Sequence, residues 1–251
     1  MMREETVFGP IFSRRLGRSL GINLLPEKGK LCNFDCIYCE CGWNRDGRED
    51  RRLPSGAEVL EKLRVKLADC AAAGTAIDSI TFSGDGEPTL HPEFASIVDG
   101  TLALRDEFFP SAKVSVLSNA TKVWREDVFE ALRKVDNPIL KIDASTDEGA
   151  AAVNSPAGEY HVADVVADLE KFGGDFILQT MFLRSPQFET GAEPNLSGWM
   201  DIVRRLRPRE TMVYTVARET PLKGIVPYTA SEMEALVKPL LEEGFKIKIS
   251  A

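Results

Sequence analysis

Four of the five cysteines in the chain lie within ten residues, at positions 32, 36, 39 and 41, and the fifth is Cys70. An odd thiol count with no secretion signal does not read as a disulfide framework, and reduced thiols grouped this closely suit a metal. Cys32, Cys36 and Cys39 have the spacing C-x3-C-x2-C. That stretch spans at most about 25 Å when extended, so one loop can curl three thiolates around a small inorganic centre. Three protein ligands on a four-iron cube leave one iron open, and an open position marks a reactive metal, as it does in catalytic zinc sites. Cubane clusters without such a position use four cysteines. The competing chemistry is a zinc site made of Cys32, Cys36, Cys39 and Cys41. Cys39 and Cys41 are separated by a single residue, which is tight for two ligands of one zinc. Cys41 then reads as a bystander thiol or a hydrogen-atom donor, and Cys70 as a small buried residue of an Ala-rich helix.

Other polar residues fall in series just after apolar runs. Ser83-Gly84-Asp85-Gly86-Glu87-Pro88-Thr89 follows SITF. Its glycines allow a backbone to approach a ligand closely, and a carboxylate there suits an ammonium partner. Ser118 ends KVSVLS and Asn119 follows it. In ILKIDA, Lys141 and Asp143 share one face of a strand, and Leu140, Ile142 and Ala144 share the other. An outward strand face packs on helices and is apolar, so Lys141 and Asp143 are expected to point inward. Charges placed inward are costly unless paired or functional. A structural Lys–Asp pair and a catalytic pair both fit. Ser145 follows, and Gln179 and Met181 share a face of a later strand. His91 and His161 stand at helix starts and carry no motif.

The elements that must position these groups alternate between strand and helix. Strands are predicted at Leu20–Leu25, Ser79–Ser83, Lys113–Ser118, Ile139–Ala144, Phe176–Phe182, Thr211–Val216 and Phe245–Ile249. Helices are predicted from Ser55 to about Gly74, with Ser55 and Glu58 as a capping box. Further helices are predicted at Pro92–Phe108, Trp124–Val135, Val162–Phe172, from a cap at Asn195 through Leu206, and at Ser231–Glu243. The cysteines occupy a long irregular stretch from about Pro26 to Pro54, a length that is usually functional. Repeated strand–helix units imply a parallel sheet with helices outside. At roughly 30 residues per unit, the chain after Pro54 holds roughly six units, short of the eight of a closed barrel. The expected fold is α/β, a partial (β/α)6 TIM-like barrel. It is expected as one domain over 1–251, with the first strand and cysteine loop in 1–54 and the remaining units in 55–251. Active sites of such folds lie at the carboxyl ends of strands, where the polar series stands.

The cysteine motif, with Tyr38 directly before Cys39, resembles the signature of the radical S-adenosylmethionine (SAM) superfamily. The resemblance implies one 4Fe–4S cluster on Cys32, Cys36 and Cys39, SAM as second cofactor, and a 5′-deoxyadenosyl radical that removes hydrogen from a substrate. Ser83–Thr89 is similar to that superfamily's glycine-rich segment. Gly84, Asp85, Gly86 and Glu87 are thereby implied in holding SAM, although Asp85 stands where a second glycine is usual. The resemblance also implies cofactor contacts from Tyr38, Ser118, Asn119, Asp143, Ser145, Gln179 and Met181, while Lys141 and Asp143 are catalytic candidates on their inward charge. The stretch Gly9–Pro26 and the segment YTVAR at 214–218 resemble the wyosine-pathway tRNA enzymes of the superfamily. No cysteine precedes Cys32, so a second cluster is not expected. A flavodoxin- or ferredoxin-type electron donor is implied, and the substrate is a nucleobase, peptide or small molecule. RNA base modification, radical methylation and peptide or protein maturation are the reactions that fit.

Composition bounds these readings. The chain has 251 residues, 43% hydrophobic and 28% charged, with a net charge of −8. That is ordinary globular composition. The acidic balance argues against an extensive nucleic-acid surface. Three arginine groups stand against it: 14, 15 and 18; 45, 48, 51 and 52; and 204, 205, 207 and 209. Each reads equally as solvated charge at element ends. No apolar run approaches the roughly 18 residues of a membrane span, and the N-terminus lacks the apolar core of a signal peptide. A cytoplasmic protein without a membrane partner is expected.

Overall fold

A computed structural model describes residues 5–13, 16–47 and 51–251. Arg14, Arg15 and Arg48 of the arginine groups lie outside the described residues. The chain divides into two compact units.

The first unit comprises residues 1–32, 44–118 and 124–138. It contains β1 (Val7–Ser13), β2 (Gly17–Ile22), α1 (Gly56–Ala72), β3 (Ser79–Phe82), α2 (Phe94–Phe108), β4 (Lys113–Ser118) and α3 (Glu126–Lys134). β1 and β2 form an antiparallel hairpin, and β2, β3 and β4 run parallel. β1 was not expected, because Gly9-Pro10 reads as a break. The pairing register shifts between Phe8 and Ile11, at this dipeptide. An edge strand accommodates a proline at such a bulge. The first predicted strand, Leu20–Leu25, is observed three residues earlier.

The two faces of this parallel group differ in chemistry. Leu20, Ile22, Ile80, Phe82, Val114 and Val116 are buried together with Val59, Leu63 and Leu67 of α1 and Phe94 and Ile97 of α2. Phe82 and Phe94 meet edge to face, with centroids 6.0 Å apart. The other face carries hydroxyls. Ser19 and Thr81 bond at 2.8 Å, Thr81 and Ser79 at 3.1 Å, and Ser79 and Ser115 at 3.2 Å. Asn137 Nδ2 donates to Ser115 Oγ at 3.1 Å and closes the row. Buried polar groups are retained here because each finds a partner. The capping box of α1 is present as expected: Ser55 Oγ accepts from Glu58 N, and the Glu58 side chain reaches back to Ser55 N.

β5 (Asn137–Lys141) begins in the first unit, and its residues from Ile139 belong to the second. The second unit comprises residues 33–43, 119–123 and 139–251. It continues through α4 (Asp147–Asn154), α5 (Val162–Glu170), β6 (Ile177–Met181), β7 (Leu183–Arg184), α6 (Asn195–Leu206), β8 (Glu210–Tyr214), β9 (Val226–Pro227), α7 (Ala230–Glu242) and β10 (Ile247–Ser250). β5, β6, β8 and β10 are parallel neighbours in that order, and β7 and β9 form a separate antiparallel pair. On the outward face Trp199 of α6 is fully buried, donates Nε1–H to Thr180 Oγ1 at 2.9 Å and meets Phe182 edge to face.

Three local expectations are corrected. α4 was not foreseen; Thr146 caps it by accepting from Gly149 N. α7 starts at Ala230 behind a second capping box, Thr229 with Glu232, rather than at Ser231. Asn195 does not cap α6, because its side chain accepts from Ser145 N and donates to Thr190 O.

Most of the arginines described are paired on the surface. Arg18 binds Asp78, Arg52 binds Glu58, Arg204 binds Glu243 and Asp201, Arg205 binds Glu170, and Arg209 binds Asp175. This is solvated charge with local partners. Among the described residues no helix is long and apolar enough to cross a membrane.

Candidate active site

In the first unit, the glycine-rich segment leaves the carboxyl end of β3. Ser83 N still bonds Ile22 O at 3.0 Å, after which the chain turns against the residues leading into Cys32. Leu31 N donates to Asp85 O at 2.9 Å, and Glu87 N donates to Leu31 O at 3.0 Å. Gly86 has φ 143°, and a Cβ there would stand 1.8 Å from Leu31 O. A Cβ on Gly84 would stand 2.1 Å from Asn23 Oδ1. That same oxygen accepts from Leu25 N at 3.1 Å and Asp85 N at 3.2 Å. Both glycines therefore serve a close backbone approach, the use that glycine is suited to. Asp85 and Glu87 are 1% and 2% exposed. Glu87 Oε1 accepts from Thr89 N, Thr89 Oγ1 and Ser118 Oγ at 3.0, 2.6 and 2.8 Å. Ser118 thus braces Glu87. Cys32 presents its carbonyl to Asn44 Nδ2 at 3.1 Å.

In the second unit, residues 33–43 form a loop pinned along its length. Asp35 N donates to Asn154 O at 2.8 Å, Ile37 N to Val153 O at 3.1 Å, and Leu222 N to Ile37 O at 3.1 Å. Phe34 packs edge to face on Tyr160, centroids 5.2 Å apart. Asn119 Nδ2 donates to Asn33 Oδ1 at 2.8 Å, and Asn33 Nδ2 donates to Thr121 Oγ1 at 2.6 Å. Asn119 therefore fixes the residue that follows Cys32. Cys39 N donates to Cys36 O at 3.1 Å, and Gly42 N to Cys39 O at 3.0 Å, which winds the loop into tight turns.

Beneath the loop lies a buried polar network. The Tyr38 hydroxyl donates to Asp143 Oδ2 and accepts from Lys141 Nζ. Lys141 Nζ lies 3.7 Å from Asp143 Oδ2 and 4.6 Å from the Tyr38 ring centroid. Met181 N donates to Asp143 Oδ1 at 2.9 Å, and Asn154 Nδ2 donates to Asp143 Oδ2 at 2.7 Å. Asn154 Nδ2 also donates to Cys36 Sγ at 3.3 Å. Burial pulls the Lys141 pKa down, but Asp143, Tyr214 and Cys36 together outweigh it and leave it above the usual lysine value. Lys141 is therefore a fixed cation. Burial and the neighbouring Asp143 charge push Tyr38 well above the usual phenol range. Burial also raises the Cys36 thiol, an effect Lys141 opposes.

The remaining sequence-predicted residues fall as follows. Gln179 pairs with Lys141 and Met212 in register, so all three share the inward face. Its Nε2 is buried without a partner among the described residues. Ser145 is tied to α6, its N and Oγ directed at Asn195 Oδ1 at 2.9 and 3.3 Å. His91 is structural: Nε2 meets Pro54 O at 2.8 Å, and Nδ1 accepts from Glu93 N at 3.1 Å. The sequence reading missed Asn154, Asn33, Asn23 and Tyr160. Asn154 ends an unforeseen helix whose signal is Thr146 followed by Asp147 and Glu148, obscured by Gly149. An open groove of about 510 Å³ runs along residues 216–227, and Arg218 on its wall pairs with Glu40 of the cysteine loop.

The thiols suit iron–sulfur ligation, since an N–H aimed at Cys36 Sγ favours a sulfur that carries negative charge. Among the described residues no three His, Cys, Asp or Glu groups gather tightly enough for one ion. A cluster makes no such demand, because each of its thiolates meets a different iron.

The sequence pattern of the radical SAM superfamily matches residues 27–185. The chain belongs to the radical SAM superfamily. The UPF0026 protein of Methanocaldococcus jannaschii is 29% identical over 225 residues, covering 88% of this chain and 66% of that protein. This radical SAM chain thus spans less than two thirds of that relative. A radical SAM methyltransferase from Sphaerobacter thermophilus superposes with a TM-score of 0.70 at 13% identity, covering 95% of this chain and 67% of that one. TYW1 with a lysine–pyruvate adduct bound gives a TM-score of 0.64 at 14% identity, covering 91% and 74%. At such identities the likeness is one of fold. The fold is the partial TIM-like barrel of radical SAM enzymes, the class expected from the sequence.

Proposed function

We propose that Cys32, Cys36 and Cys39 hold one 4Fe–4S cluster, and that the polar groups at the strand ends bind SAM for reductive cleavage. Such a cluster, when bound, supplies the single electron that splits SAM into methionine and a 5′-deoxyadenosyl radical. The protein's own share is binding, orientation and shielding. The observation that carries this reading is the network linking Cys36 through Asn154 and Asp143 to Tyr38 and Lys141. It joins Cys36 to Lys141 and Asp143 of the same unit, so these groups are preorganised together.

In this reading Gly84–Glu87 offers backbone to SAM, since Glu87 Oε1 already serves Thr89 and Ser118. Tyr38 and the inward residues Gln179 and Met181 line the cofactor side. Lys141, held as a cation, and Asp143 orient the reacting groups. A flavodoxin- or ferredoxin-type protein delivers the electron. The substrate is a nucleobase, a peptide or a small molecule, which leaves RNA base modification, radical methylation and peptide maturation as the candidate reactions. The wyosine-pathway likeness is one of these three, since the methyltransferase superposes at least as well as TYW1.

The test is anaerobic reconstitution with iron and sulfide, followed by metal analysis. About four irons and four sulfides per chain are expected. Zinc near one equivalent, with no iron retained, would support a zinc-binding protein instead.

A further inference from the structure

Asn154 lies at the carboxyl end of α4 and is 2% exposed. Its side-chain nitrogen donates to two acceptors, Asp143 Oδ2 at 2.7 Å and Cys36 Sγ at 3.3 Å. The orientation of the amide is settled by chemistry. Asp143 Oδ2 accepts here, as it does from the Tyr38 hydroxyl, so the Asn154 atom facing Asp143 is the NH2 group. The second N–H of that group is then the one that meets the sulfur. Position is settled by the backbone, since Asn154 O and Val153 O accept from Asp35 N and Ile37 N on either side of Cys36. Donor and sulfur are thereby locked to each other by four bonds.

We propose that Asn154 sets the reduction potential of the cluster held by Cys36, and so acts as a positioning residue for the electron that enters it; this rests on the cluster assignment above. An N–H aimed at a ligand sulfur draws charge from it and stabilises the reduced, more negative form of the cluster, which raises the potential. Asp143 keeps that N–H in place by taking the other hydrogen of the same nitrogen. The network therefore runs from Lys141 through Tyr38, Asp143 and Asn154 to the sulfur.

The experiment is a redox titration of the reconstituted holoenzyme, followed by absorbance and by EPR of the reduced cluster. Wild type, Asn154→Ala, Asn154→Ser and the neighbouring exposed control Ser155→Ala are compared at equal iron content. Asn154→Ala is expected to lower the ratio of reduced to oxidised cluster about tenfold at fixed potential, about 59 mV for one electron. Asn154→Ser should shift it less, and Ser155→Ala should leave it unchanged. A fully loaded Asn154→Ala protein with the wild-type midpoint would overturn the proposal. If the variants fail to load iron, wild-type holoenzyme carrying asparagine labelled with 15N in the side chain decides the question. Pulsed EPR should show a 15N coupling to the reduced cluster, and its absence overturns the proposal. If wild type binds zinc and no iron, the cluster assignment fails instead, which is a separate result.

Discussion

Tyr38 and Asp143 are 105 residues apart in the chain, yet the hydroxyl of one donates to the carboxylate of the other in a buried site. The same carboxylate is 3.7 Å from Lys141 Nζ, and its own side chain has no exposure. Removing one member of a buried ion pair strands the other charge. Asp143→Ala should therefore cost about 3 kcal/mol or more of stability. The double variant Lys141→Met with Asp143→Ala should cost less than the sum of the two single changes. Urea unfolding of the four proteins measures this, and simple additivity would mean that the pair contributes no coupling.

The two glycines before Glu87 should differ sharply from one elsewhere. Gly86→Ala puts a Cβ 1.8 Å from Leu31 O at a positive φ, and Gly84→Ala puts one 2.1 Å from Asn23 Oδ1. Each should destabilise by about 3 kcal/mol, because Gly86→Ala forces the Leu31 backbone to move and Gly84→Ala drives the buried Asn23 side chain off the backbone it holds. Gly158 has nothing within 4 Å of an added Cβ, so Gly158→Ala should stay within about 0.5 kcal/mol. Thermal melts of the three variants check the ranking.

The proposed cluster assignment divides the cysteines by role. Cys36→Ala should abolish iron retention, whereas Cys41→Ala should keep it, since three thiolates suffice for a cube with an open position. Iron and sulfide counts after desalting decide this. Loss of iron in Cys41→Ala would point to a four-thiolate centre that only carries electrons.

His161 offers a pH test away from the site. Its ring nitrogens meet Asp147 at 2.8 Å and Glu159 at 3.2 Å, which raises its pKa to about 9 from the usual 6.5. The imidazolium is the stabilised form in the folded chain. Its contribution is complete below the unfolded value of 6.5 and fades as pH rises through about 9. The effect on stability is small at an exposed site. An NMR titration of this ring should show a midpoint well above 7 that returns towards 6.5 in Asp147→Asn, and an unaltered midpoint there would refute the pairing.

Much of this was legible in the residues, and the losses have physical causes. The cysteine spacing, the glycine-rich turn and the inward pairing of Lys141 with Asp143 follow from local pattern and strand alternation. The strand β1 was hidden because Gly9-Pro10 reads as a turn, while a bulged edge strand tolerates it. α4 was hidden because Gly149 interrupts its first turn. With it was lost Asn154, whose importance lies in a contact 118 residues away that no local pattern encodes. Asn195 has a capping residue's type and position, yet tertiary contact with Ser145 claims its side chain. Asn119, expected at the cofactor, also holds Asn33 and Thr121, contacts that no local pattern encodes.

The most direct test of the central claim is product formation. Reconstituted protein, reduced anaerobically with SAM present, should release 5′-deoxyadenosine, and Cys36→Ala should release none. A fully loaded cluster that leaves SAM intact, with reductant in excess and each candidate substrate class supplied in turn, would contradict the account.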